Sequence, residues 1–332
     1  MISSEDNSII FQGAIHPVWT KIACKSARKC FPKATIILST WEGSSVDGIE
    51  FDSVIFSKDP GGFPYFAERK NSELNNVNRQ ILSTKRALSL VKTNYTLKTR
   101  TDFCITKNSL CEVFERANKL ERRKDYCISK ARIITLTASD LNKRAPRPFN
   151  ISDFFFFGLT CDIFDLFDIP LEPIAEFTYF KGDTYSNRFF PEQYIITTYI
   201  KKHKNIVFND KNDFSDKVKS ESEQYIANNL YLTPLKKAGL FTLKPKLAVY
   251  INNSISQDFK TNLTEFDFLL LYKKYVDSDF KIPQKIKRDY NRVKILRSVI
   301  FKIFDLLFFY NKQLRRNART AFISWLEKHI LE

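Results

Sequence analysis

Apolar blocks and amphipathic stretches alternate along the first half of the chain. Ser8 to Ile15 (Ser-Ile-Ile-Phe-Gln-Gly-Ala-Ile) predicts a first strand, and Thr20 to Cys30 has helical spacing that ends at Phe31-Pro32. Ala34 to Thr40 is a continuous, β-branched run, as expected of a strand buried on both faces. Phe51 to Ser57 predicts a third strand, stopped by the turn Asp59-Pro60-Gly61-Gly62. Asn76 to Val91 predicts a helix with Ile81, Leu82, Leu88 and Val91 on one face, and Tyr95 to Thr99 a fourth strand running into Arg100-Thr101-Asp102. A helix over Asn108 to Leu120 and strands over Arg132 to Thr137 and Asp153 to Gly158 continue the alternation. The pattern predicts an α/β fold with a largely parallel sheet.

The second half is less regular. Pro191 to Lys201 predicts a helix, and the polar, Lys/Asp-rich residues 205–222 a surface excursion. Leu240 to Leu243 and Leu247 to Ile251 are short strand candidates, and Phe266 to Val276 a helix. From Ile286 to about Leu326 one or two long helices are expected, apolar at Val293, Leu296, Ile300, Ile303, Phe304 and Leu307. No internal repeat is evident.

Charge changes this picture at the C-terminus. The 332 residues carry a net charge of +16, and Lys281 to Arg319 alone hold 12 basic residues against Asp289 and Asp305. The expected division is therefore 1–282, a catalytic domain, and 283–332, a basic amphipathic helical region. A basic chain points to anionic partners. No helix-turn-helix, zinc or aromatic RNA-binding signature is present, so nucleic acid is not the expected partner. Phe and Leu interleaved with Lys and Arg suit a helix lying on an anionic membrane. The rival reading is a helix that covers the core.

The six cysteines form no C-x-x-C and the three histidines are remote from them in sequence, so no zinc motif is expected and the thiols read as reduced. The N-terminus is polar and acidic, unlike a signal peptide. No apolar stretch long enough to span a bilayer occurs. The expectation is a cytoplasmic protein, peripheral on the cytoplasmic face of the inner membrane.

In open α/β sheets, ligands sit beyond the carboxyl ends of the strands. The residues there are Gln12, Gly13 and His16, then Trp41 and Glu42, then Asp59, then Arg100 and Asp102. Carboxylates beside Arg and a glycine turn can hold a nucleotide diphosphate with Mg²⁺ or Mn²⁺. The plain alternative is that each Asp caps the next turn. His16 reads as structural.

The ordered run Ala34-Thr-Ile-Ile-Leu-Ser-Thr-Trp-Glu-Gly43, Asp59-Pro-Gly61, Asn78-Arg-Gln-Ile-Leu-Ser-Thr84 and Leu97-Lys-Thr-Arg-Thr-Asp102 resembles the WavE-like lipopolysaccharide synthesis family. Ser152-Asp-Phe-Phe-Phe-Phe-Gly158 and Pro191-Glu-Gln-Tyr194 also resemble it. The resemblance implies a Rossmann-like, GT-A-type glycosyltransferase that uses a nucleotide-sugar donor and a glycan or lipid-linked acceptor. Lys98 to Asp102 would occupy the place of the acidic D-x-D motif, with Asp102 as metal ligand and Arg100 where the first Asp is expected. A divalent metal, Mn or Mg, is therefore implied, although Arg100 can bind phosphate directly. Glu192, at a helix start, would be the general base, with Asp153 as rival or acceptor-binding carboxylate. Gln12, Gly13, Trp41, Asp59, Arg79 and Arg100 would serve the donor. The competing readings are a Rossmann-like nucleotidyltransferase, weakened by the single glycine in Gly13 to Trp19, and a non-catalytic peripheral membrane protein of a polysaccharide assembly complex.

Overall fold

A computed structural model describes residues 2–66, 73–137, 147–173, 179–181, 185–244, 263–307 and 313–314. The first half runs β1 (Asn7–Gln12), α1 (Trp19–Cys30), β2 (Thr35–Trp41), β3 (Ser53–Ser57), β4 (Phe63–Pro64), β5 (Leu74–Asn75), α2 (Val77–Leu88), β6 (Tyr95–Arg100), β7 (Phe103–Ile105), α3 (Leu110–Ala117), β8 (Ile133–Leu136) and β9 (Phe156–Leu159). It continues through α4 (Thr160–Phe167), β10 (Tyr179–Lys181), β11 (Tyr185–Asn187), α5 (Pro191–His203), α6 (Asp216–Asn229), β12 (Leu230–Thr233), α7 (Leu235–Ala238), β13 (Leu240–Thr242), α8 (Glu265–Tyr275) and α9 (Gln284–Leu307).

Seven strands form one sheet in the order β12-β8-β9-β6-β1-β2-β3. β3, β2, β1 and β6 are mutually parallel, β9 alone runs against both its neighbours, and β8 and β12 are parallel to each other. This is the mostly parallel α/β sheet that the alternating pattern predicts. β1 is buried along its whole length, which explains why its apolar residues run on rather than alternate. The phenylalanines explain themselves in the middle of the sheet. Tyr95, Phe114 and Phe157 pack edge-on and stacked within 5.4–6.4 Å of one another, and Phe156 meets Phe167 at 5.7 Å.

The structure departs from expectation after residue 205. Part of the expected surface excursion is α6, with Val218, Ser222, Tyr225 and Ile226 buried, and it delivers the edge strand β12. The apolar residues of α6 are so sparse among Lys, Ser and Glu that its buried face does not stand out from the sequence. The expected strand over 247–251 and the expected helix beyond residue 314 lie outside the described residues. α9 touches the body through Ile286, and Tyr290 stacks on Phe266 at 4.4 Å.

A two-stranded sheet backs the turn after β6. β13 pairs antiparallel with β7, and the Leu243 N–H and Thr242 hydroxyl both donate to the Asp102 carbonyl (2.9 and 3.2 Å). The turn into β13 is Gly239, at φ +72°, and a Cβ there would run into the Lys107 carbonyl and the Ser109 hydroxyl. Gly239→Ala should therefore cost about 2–4 kcal/mol of stability, from the left-handed backbone and the overpacking together. A urea midpoint equal to that of the wild type would contradict this packing.

Candidate active site

The first turns of α2 tie together most of the polar groups at the carboxyl edge of the parallel strands. Successive residues here leave the helix in different directions. Asn78 clasps the backbone of Glu172: its Nδ2 donates to the Glu172 carbonyl (2.8 Å), and the Glu172 N–H donates to its Oδ1 (2.7 Å). Arg79 makes a bidentate pair with Asp59, Nε to Oδ1 at 2.8 Å and Nη2 to Oδ2 at 2.7 Å. The Gly61 N–H donates to the same carboxylate, so the Asp59-Pro-Gly turn is stapled to the helix. The hydrogen-bonded Arg79 guanidinium holds the Asp59 carboxyl below its usual range. Ser83 donates to Gln12 Oε1 at 2.8 Å, and Ser39 donates to the Ser83 carbonyl at 2.7 Å.

Gln80 does something different. Its Oε1 accepts from the Lys98 ammonium (2.9 Å) and its Nε2 donates to Asp153 Oδ2 (2.5 Å). Lys98 is fully buried in the middle of β6, donates also to the Asp153 carbonyl (2.7 Å), and lies over the rings of Phe167 and Phe156 at 5.4 and 5.6 Å. Burial drives the ammonium down to about 7, with the Asp153 charge opposing the shift and the Arg100 charge adding to it.

At the end of β6 the side chains of Arg100 and Asp102 face each other in a second bidentate pair, Nε to Oδ1 at 2.9 Å and Nη2 to Oδ2 at 2.7 Å. The guanidinium also lies over Phe154 at 5.7 Å. Between them, Thr101 donates from its hydroxyl to the Ala14 carbonyl (2.7 Å) and from its N–H to the Gln12 carbonyl (3.3 Å), fastening the β6 turn to the β1 turn. Gly13, at φ +116°, permits that β1 turn.

A third feature is the Tyr65 phenol. Burial raises this phenol, and Glu192, Asp153, Glu172 and Glu73 add to the shift in that order. Glu192 occupies the first turn of α5, just after Pro191. Glu172 is buried, its Oε2 has no hydrogen-bond partner among the described residues, and burial pushes its carboxyl up to about 8.

Of the residues expected from sequence, Gln12 and Arg100 are register partners on β1 and β6, Gly13 follows Gln12, Asp102 pairs with Arg100, and Asp153 is bridged to β6 through Gln80 and Lys98, while Glu192 stands in the first turn of α5. Asp59 and Arg79 pair at the other side of α2. Trp41 ends β2 half-buried, and no hydrogen bond or ring contact joins its indole to the others among the described residues. His16 stacks on Trp19 at 3.8 Å and its Nδ1 accepts the Trp19 N–H.

The profile of a family described as WavE lipopolysaccharide synthesis matches residues 9–304. The chain belongs to the WavE lipopolysaccharide synthesis family. Among solved structures it is similar to the apo-form glycosyltransferase GlyE of Streptococcus pneumoniae TIGR4, at 10% identity and a TM-score of 0.31, over 61% of this chain and 44% of that one. It is also similar to an active-site mutant of LgtC, at 10% identity and a TM-score of 0.34, over 85% of this chain and 99% of that one. The chain thus spans less than half the length of GlyE. No curated protein matches it significantly.

Within this WavE chain, the run Asn78 to Thr84 is the latch that α2 closes over the strand ends. Sequence reasoning passes over Gln80, Lys98, Tyr65 and Glu172. Lys98 carries a signal, a lysine inside a short buried-strand pattern. Glu172, between Leu171 and Pro173, carries none, because its position depends on Asn78, 94 residues away.

The divalent metal implied for Asp102 does not fit the residues present. Both Asp102 oxygens accept from Arg100, and no group of three or more His, Cys, Asp or Glu side chains able to hold a metal occurs among the described residues.

Lys98 makes stability depend on pH. Its folded value of about 7 lies below the ordinary 10.5, so across that window the unfolded chain binds more protons than the native state. Stability must then rise with pH between those values. Lys98→Met removes this contribution. Urea midpoints at the two ends of the window should show the wild type gaining on the variant as pH rises, and parallel behaviour would contradict a buried, depressed Lys98.

Proposed function

We propose that this WavE chain is a glycosyltransferase, of the hexosyl- or pentosyltransferase class, working in cell-surface polysaccharide synthesis. It takes a nucleotide-activated sugar as donor and an oligosaccharide or lipid-linked glycan as acceptor. The observation that carries the reading is the charge layout at the carboxyl edge of the parallel strands. A guanidinium is fixed at the end of β6, and two residues back on the same strand Lys98 is bridged through Gln80 to the Asp153 carboxylate, so cations and a carboxylate share one strand end. Such a layout suits a nucleoside diphosphate leaving toward the cations as the bond from its phosphate to the anomeric carbon breaks, while an acceptor hydroxyl enters past a carboxylate.

In this reading Gln12 and Gly13 floor the donor site, and Arg100 faces the phosphates. Asp153, held by Gln80, orders the sugar. Glu192 takes the proton of the acceptor hydroxyl as its oxygen attacks the anomeric carbon. Glu192 is preferred to Asp153 because an Asp153 oxygen already accepts from Gln80 beside Lys98, whereas Glu192 stands in the first turn of α5. Glu192→Gln should lower kcat by roughly 10²–10⁴-fold and leave the donor KM unchanged. A variant at the wild-type rate, beside an inactive Asp153→Asn, moves the base to Asp153.

The same reading places α9 on an anionic membrane surface, where lipid-linked acceptors sit. Ile295, Leu296, Val299, Ile303, Leu306 and Leu307 form one exposed stripe along α9, which also carries Lys285, Lys287, Arg288, Arg292, Lys294 and Lys302. No helix among the described residues is long and apolar enough to cross a membrane. The full chain should co-sediment with anionic vesicles and less so with neutral ones, with high salt weakening the attachment. Ile303→Asp combined with Leu306→Asp should reduce what survives high salt. Equal pelleting with neutral vesicles and with none would return α9 to a structural role.

A further inference from the structure

We infer that this site receives a nucleoside diphosphate on the Arg100 guanidinium and needs no divalent cation to do so. The inference rests on the donor reading above and deepens it. Its starting point is the closed state of Asp102. A hard cation such as Mn²⁺ or Mg²⁺ takes oxygen ligands, and carboxylate oxygens are the protein's main offer. Both Asp102 oxygens are already acceptors, at 2.9 and 2.7 Å, in a parallel fork from one guanidinium. Such bidentate, charge-assisted pairs are among the stronger hydrogen bonds in proteins. Binding a metal there would mean breaking this pair. The neighbouring carboxylate, Asp153, has given one oxygen to Gln80.

The same geometry makes Arg100 a prepared anion receptor. Two of its N–H groups serve Asp102, and a guanidinium carries five. No further hydrogen bond leaves the guanidinium among the described residues, so its remaining donors are available. The Arg100 side chain is 32% exposed and that of Asp102 10%, so the pair turns its positive member outward. Its position is also fixed from behind. The Asp102 carbonyl accepts from Leu243 and Thr242, Thr101 is tied to Ala14 and Gln12, and Phe154 lies under the guanidinium. The second cation, Lys98, is two residues back on β6 and hence on the same face of the strand. Asp102 is thus a positioning residue, which aims the fork.

The test is calorimetric titration of the full-length wild-type chain with UDP, GDP, CDP and ADP, each in EDTA and again in Mn²⁺. The expected result is that at least one nucleotide binds in EDTA, with an affinity that Mn²⁺ does not materially improve. For that nucleotide, Arg100→Ala should weaken binding roughly 10- to 100-fold, as for a lost charged hydrogen-bond partner, with Arg100→Lys in between. Circular dichroism melting checks that each variant is folded. Arg100→Asp supplies a second carboxylate two residues from Asp102, and should abolish binding in EDTA while allowing some recovery in Mn²⁺. Wild-type binding that appears only with Mn²⁺ overturns the inference and leaves the donor reading standing. Undiminished binding by Arg100→Ala overturns the assignment of Arg100. Silence of all the nucleotides in both buffers overturns the inference and the donor reading together.

Discussion

A fully buried ammonium has to be met by acceptors, and in this protein that requirement organises the site. Lys98 has only two hydrogen-bond acceptors among the described residues, the Gln80 amide oxygen and the Asp153 carbonyl. An ammonium can only donate and an ionised carboxylate can only accept, so the Gln80 amide has one workable orientation. Its oxygen turns to Lys98 and its nitrogen to Asp153. One side chain therefore sets the distance between α2, β6 and the segment entering β9. Leaving either partner unmet in so dry a place would carry the full desolvation penalty.

From that bridge the remaining contacts follow in order along α2. With Gln80 held, Arg79 faces the turn after β3, Asn78 faces the loop at Glu172, and Ser83 faces the end of β1. Loops from four separate parts of the chain are thus referred to one rigid helix. This is how an α/β sheet gives precision to residues that sit on turns. The charges are arranged with the same economy. Arginine–aspartate forks steady the turn after β3 and the turn after β6.

Much of this frame is legible in the sequence. β1, β2 and β6 are buried on both faces, so their apolar runs announce themselves, and α1 and α2 carry clear helical stripes. α6 and β12 do not show, because the few apolar residues of α6 are diluted among charged ones and β12 is a four-residue edge strand. For the site, strand-end reasoning finds Gln12, Gly13, Arg100 and Asp102, since position after a strand is a local property. It cannot see that Arg100 closes on Asp102 rather than leaving it open, which is a rotamer choice. Tyr65 and Glu172 are hidden for a different reason. Each is brought to the site by contacts far apart in sequence, and neither sits in a local pattern.

If the Gln80 bridge between Lys98 and Asp153 holds a working glycosyl-transfer site, then removing the bridge must remove the reaction. The rate to measure is nucleoside diphosphate release from nucleotide sugars, with lipopolysaccharide fragments as acceptors, by the wild type and by Gln80→Met. Methionine keeps the length of the side chain and removes both amide groups. The wild type should show acceptor-dependent release and Gln80→Met should lose it, with the helical circular dichroism retained. A folded Gln80→Met protein that turns over at the wild-type rate would contradict this role of the bridge.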